Sequence, residues 1–75
     1  MIRTAMKYAV VIERAGDNLS AYVPDLPGCI VTGNSVSEVE RLVREAISFH
    51  LEGLREDGID IPEPSCAVQY VELAA

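Results

Sequence analysis

The sequence predicts an α+β domain in the order β-β-β-α-β, an antiparallel sheet with one helix packed on one face. Three observations carry this. Apolar residues alternate along 6–13 and again along 19–23, on either side of a Gly-Asp-Asn turn. Between residues 39 and 54 the apolar spacing changes to three- and four-residue steps, the period of a helix. The run CAVQYVEL at 66–73 then returns to a strand-forming composition.

The elements follow in order. MKYAVVIE, residues 6–13, places Met6, Tyr8, Val10 and Ile12 on one face of a first strand, with Ala9 and Val11 making the other face partly apolar. AGDN at 15–18 reads as a turn of three to four residues. Leu19, Ala21 and Val23 alternate in a second strand, so the pair forms a hairpin. Pro24 ends that strand because it has no N–H to donate to a ladder. DLPG is a turn in which Pro27 fixes φ and Gly28 can take the positive φ of a type II turn. CIVTG, 29–33, makes a short third strand.

The helix has readable ends. S-V-S-E from Ser35 to Glu38 matches a capping box, in which the Ser35 hydroxyl accepts from the Glu38 N–H and the Glu38 side chain reaches back. Val39, Leu42, Val43, Ala46, Ile47, His50, Leu51 and Leu54 form the apolar stripe. Glu40 and Arg44 stand four apart on the polar face as a favourably oriented pair. Gly58 suits the position just past the helix, and Pro62 and Pro64 prevent continuation.

The totals bound the function. A chain of 75 residues is one domain, expected here as a single unit over 1–75. A domain that small buries only about 60% of its unfolded surface. With 49% apolar residues on so small a body, self-association into a homo-oligomer, a dimer or tetramer, is expected. Twelve acidic against six basic side chains give a formal charge of −6. That charge repels phosphate backbones and disfavours direct nucleic-acid binding, while it steers basic partners inward. The N-terminus shows no signal-peptide pattern and no run approaches the length of a bilayer span, so a cytoplasmic protein without membrane association is expected.

No catalytic, metal or cofactor-binding set stands out. Cys29 and Cys66 lack metal-ligand or CxxC spacing and read as small apolar residues. His50, the single histidine, falls on the helix stripe, where a core or interface role is usual. Glu13, Asp17, Asp25, Asp57, Asp60, Glu63 and Glu72 nearly all read as sitting in turns or at strand ends, and the predicted strand centres carry no carboxylate. A metal-assisted or acid–base enzyme needs carboxylates converging from several elements, so no enzyme is expected. The loop Pro24, Asp25, Leu26, Pro27, Gly28 and Cys29 remains. It is either a proline-stiffened turn or a rigid surface that presents Asp25 and Leu26 to a partner at low entropic cost.

Four stretches, taken together, resemble the HicB family of antitoxins: YVPDLPGC at 22–29, TGNS at 32–35, REAI at 44–47 and GIDIPEP at 58–64. The resemblance covers roughly residues 6–72. It implies a degenerate RNase H-like β-β-β-α-β fold and a role in binding and silencing a small basic HicA-like toxin, an mRNA interferase, by occlusion. The loop Pro24 to Cys29 would then form part of the contact surface. The acidic residues that active RNase H-like enzymes place on their strands and helix have no counterpart here. The family's usual C-terminal DNA-binding module is not expected within this chain, and Val39 and Glu40 depart from the family pattern. The alternative is an orphan oligomeric interaction domain without a toxin.

Overall fold

The computed structural model describes residues 6–74. Three strands, β1 (Val11–Ala15), β2 (Asn18–Tyr22) and β3 (Ile30–Gly33), form an antiparallel meander in the order β1-β2-β3, followed by one helix, α1 (Val36–Glu56). This is the α+β arrangement of sheet and single helix that the sequence predicts.

The hairpin is tighter than its sequence suggests. Ala15 pairs with Asn18, so both belong to strands and only Gly16 and Asp17 turn. Gly16 takes φ +67° while no described non-glycine residue has positive φ, the pattern of a type II′ hairpin. In the register, Val11 faces Tyr22 and Ile12 faces Ala21. The paired part of the first strand therefore starts at Val11 instead of Met6. Beyond Tyr22 the second strand runs into Pro24 and the loop turns away, so residues 6–10 have no ladder partner among the described residues.

The helix forms as its caps dictate. Ser35 adopts an extended conformation and its Oγ accepts from the Glu38 N–H at 3.1 Å. The Glu38 carboxylate reaches one residue further than a capping box requires and accepts from the Asn34 N–H at 3.1 Å. At the other end Asp57 caps and Gly58 turns left-handed at φ +68°. Gly58 N–H donates to the Arg55 carbonyl and Ile59 N–H to the Leu54 carbonyl, a Schellman closure. The helical ion pair is Arg41 with Glu45 at 3.6 Å, not Glu40 with Arg44. The latter two both line a groove beside the N-terminal segment.

The core is small. Ala21, Val23, Leu26, Cys29, Val39 and Val43 are buried, with Leu19, Val31, Ala46, Ile47 and Leu51 packed partly against them. The helix lies on β2 and β3. Gly33 marks its closest approach: a Cβ there would stand 2.7 Å from Glu38 Oε1 and 3.0 Å from Val39 Cγ1.

The fourth strand expected at 66–73 is not formed within this chain. Residues 59–74 carry no helix or strand, and every residue from Ser65 to Ala74 is exposed. Strand-forming side chains set a preference, but a strand exists only when an edge pairs with it. The three-stranded sheet is therefore the whole sheet among the described residues.

Candidate functional site

The loop between β2 and β3 is two consecutive turns, each opened by a proline. Leu26 N–H donates to the Val23 carbonyl at 3.0 Å around Pro24-Asp25. Cys29 N–H donates to the Leu26 carbonyl at 3.0 Å around Pro27-Gly28, with Gly28 at φ +86°. The second is the type II turn that Pro27 and Gly28 predict. Val23 N–H closes the loop on the Cys29 carbonyl at 3.1 Å.

This geometry divides the six residues named from the sequence. Leu26 is 0% exposed and Cys29 is buried; both side chains belong to the core. Leu26 is thus not available to a partner, contrary to the reading that it is presented outward. A short loop has no periodicity to reveal which side chain turns inward, and here the two turns swing Leu26 under the sheet. Pro24, Pro27 and Gly28 are exposed at the loop surface, flanked by exposed Tyr22 and Ile30.

Asp25, half-buried, does something the sequence reading missed. Its Oδ1 accepts from the Ser65 hydroxyl at 2.6 Å and from the Cys66 thiol at 3.5 Å. Its Oδ2 accepts from the backbone N–H of Ser65 at 3.1 Å and of Cys66 at 3.3 Å. One carboxylate therefore holds the segment that follows Pro64 against the loop. Tyr8 joins the same assembly by donating its hydroxyl to the Pro62 carbonyl. The signal in the sequence was the capping-type chemistry of Asp25 and Ser65, hidden by a separation of forty residues.

The electrostatics follow from those contacts. Hydrogen bonds from Ser65, side chain first and backbone second, hold the Asp25 carboxyl below its ordinary value of 3.8, against a smaller opposing effect of burial. Desolvation, then the charges of Asp25 and Glu63, push the Tyr8 phenol up. Burial pushes the Cys29 thiol up. Desolvation, then the hydrogen bond to Asp25 and its charge, raise that of Cys66. Both cysteines thus favour the thiol form over the nucleophilic thiolate. They are free, Cys66 being the exposed one. His50 is half-buried on α1. Among the described residues no group of His, Cys, Asp and Glu could hold a metal ion. No helix among the described residues is long and apolar enough to cross a membrane.

A meander with one helix, a proline-braced loop and a carboxylate used as a structural clamp define a small α+β protein. Residues 8–74 match the family model of the HicB-like antitoxins of bacterial toxin-antitoxin systems, and the chain belongs to that family. It is 41% identical over 66 residues to an uncharacterised 14.9 kDa protein from the rep-hol intergenic region of Haemophilus phage HP1, covering 88% of this chain and 50% of the phage protein. The chain thus spans half the length of that relative. It is 43% identical over 71 residues to a UPF0150 protein of Archaeoglobus fulgidus, covering 91% of this chain and 96% of that protein. A UPF0150 protein of Helicobacter pylori is 40% identical over 65 residues, 85% of this chain and 90% of its own. Among solved structures, a chain of a HicA3 and HicB3 toxin-antitoxin complex superposes with a TM-score of 0.68 at 28% identity, over 80% of this chain and 70% of that one.

Proposed function

We propose that this protein is an antitoxin module that binds a small basic HicA-type mRNA-interferase toxin and silences it by occlusion, not by catalysis. The observation that carries the reading is the likeness to a chain of a HicA–HicB complex, together with a net charge of −6 that suits a basic partner. The loop offers part of the contact surface through Pro24, Pro27 and Gly28, with Asp25 bracing it from behind and Leu26 and Cys29 anchoring it in the core. Such a module works in the cytoplasm, self-associates, and has no direct role in gripping nucleic acid, whose phosphates its charge repels.

Co-expression with a small basic toxin-like protein from a neighbouring reading frame, tagging one chain alone, tests the reading. The expected result is a stable complex and rescued growth. The toxin fails to co-purify if the reading is wrong. A second reading, an orphan oligomeric interaction domain, is favoured by the amount of apolar surface left exposed, such as Phe49 at 81%. Recovery of the chain alone as a defined oligomer would select it.

A further inference from the structure

Two features of this molecule remain unsatisfied, and each fits the other. The first is the segment 67–74. It has the composition of a strand but makes no hydrogen bond to the remaining described residues, and Val68, Tyr70, Val71 and Leu73 stand 56%, 97%, 75% and 81% exposed. Its root is held: Tyr8 grips Pro62, and Asp25 grips Ser65 and Cys66. A firmly rooted apolar arm is thus carried away from its own body. The radius of gyration is 14.4 Å and the long axis 47 Å, against a radius of about 11 Å for a compact chain of this length.

The second feature is the outer side of β1. Among the described residues the sheet order leaves one edge of β1 unpaired, and residues 6–10 extend that edge with no strand partner. Between it and α1 lies an open groove of about 640 Å³. Its floor is Val10, Ile12, Val43 and Ile47, and its rim carries Lys7 and Arg44, with Glu40 as the opposing charge. None of the residues lining the groove comes from the arm of the same chain.

We propose that the occupant of this groove is residues 67–73 of a second copy, which add as a fourth strand along β1, while the first chain's arm does the same in return. Three points favour a second copy. The arm supplies unpaired backbone donors and acceptors to match an unpaired edge. At period two, Val68, Tyr70 and Glu72 share one face. Two apolar side chains and one anion meet an apolar floor whose rim carries a net positive charge. The seven residues after Cys66, extended, span about 23 Å, enough to run the length of β1 and part of its N-terminal extension. Reciprocal exchange closes the assembly as a twofold dimer with no arm left over. It also accounts for the strand that the sequence predicts and the single chain lacks. This inference is independent of any toxin.

The test uses the full chain. Sedimentation of the unsubstituted protein is expected to give twice the single-chain mass. Ile12→Cys in one tagged chain and Tyr70→Cys in a differently tagged chain, both with Cys66→Ser, are expected to form a mixed disulfide carrying both tags under mild oxidation. Tyr70→Asp is expected to raise the dimer dissociation constant by about 30-fold, the scale of a buried aromatic anchor. Its fold is expected to persist, because Tyr70 is solvent-exposed in the single chain. Arg44→Glu and Glu72→Arg are each expected to weaken the dimer, and together to restore it. A single-chain mass overturns the proposal. So does a dimer that is insensitive to Tyr70→Asp, or an Ile12→Cys/Tyr70→Cys disulfide that closes only within one chain.

Discussion

Residues 11–58 and residues 59–74 use similar amino acids and end differently. The first stretch holds all the regular structure among the described residues, and each element there meets a neighbour close in sequence: a two-residue hairpin, a two-turn loop, a helix capped at both ends. The second stretch carries Val68, Tyr70, Val71 and Leu73 and forms no element. Strand-forming side chains occur in both regions, and what differs is the presence of an edge within reach. The body pairs its strands and helix internally except along the outer edge of β1; the arm depends on five contacts, four of them to Asp25.

The body should break hardest at Leu26. Its side chain is fully buried under the loop, so Leu26→Ala leaves a cavity that costs about 2–5 kcal/mol. Chemical denaturation is the measurement, and a loss under 1 kcal/mol would show that the loop is not anchored in the core. In so small a domain the expected loss is a large share of total stability.

Gly33→Ala comes next. The added methyl would press on Glu38 Oε1 and Val39 Cγ1 at 2.7 and 3.0 Å. The Glu38 carboxylate can swing aside, but it then releases the Asn34 N–H, and buried Val39 has little room to move. A loss of about 1–2 kcal/mol in the same assay follows from overpacking of this kind. Ser35→Ala removes the acceptor for the Glu38 N–H and should cost about 1 kcal/mol, read as a lower thermal midpoint and as fraying at the start of α1.

The ease with which each of these was legible follows from the range of the interaction involved. Ser35 and Gly58 announce the helix ends because caps act within four residues. Pro27 and Gly28 announce their turn for the same reason. The start of β1 at Val11 was not legible, since it depends on where Pro24, thirteen residues away, diverts the partner strand. Leu26 looked like a presented side chain because nothing in a seven-residue loop tells which way it points. The clamp of Asp25 on Ser65 and Cys66 spans forty residues, and no local pattern encodes it. The fourth strand at 66–73 was legible as a preference, and the edge it needs is absent from the single chain.

Asp25 gives the smallest effect on the body and the sharpest on the contrast. Its carboxylate is an acceptor for four donors of the arm's root and for nothing in the sheet or helix among the described residues. Asp25→Asn keeps the size but leaves one acceptor oxygen for those donors and turns an NH2 group toward them. Protection of the Ser65 and Cys66 amides against hydrogen exchange should fall, while that of β2 and α1 stays as it was. The pH dependence has a definite sign. The folded-state pKa lies below the ordinary aspartate value, so the clamp is fully in place above 3.8 and is lost as pH falls through the lower, folded value. Amide exchange at Ser65 followed downward through the acid range should therefore show protection vanishing at a pH below that at which a free aspartate titrates. In Asp25→Asn the same scan should be flat. If the body melts together with the arm in that variant, the two regions are one cooperative unit and the division drawn between them fails.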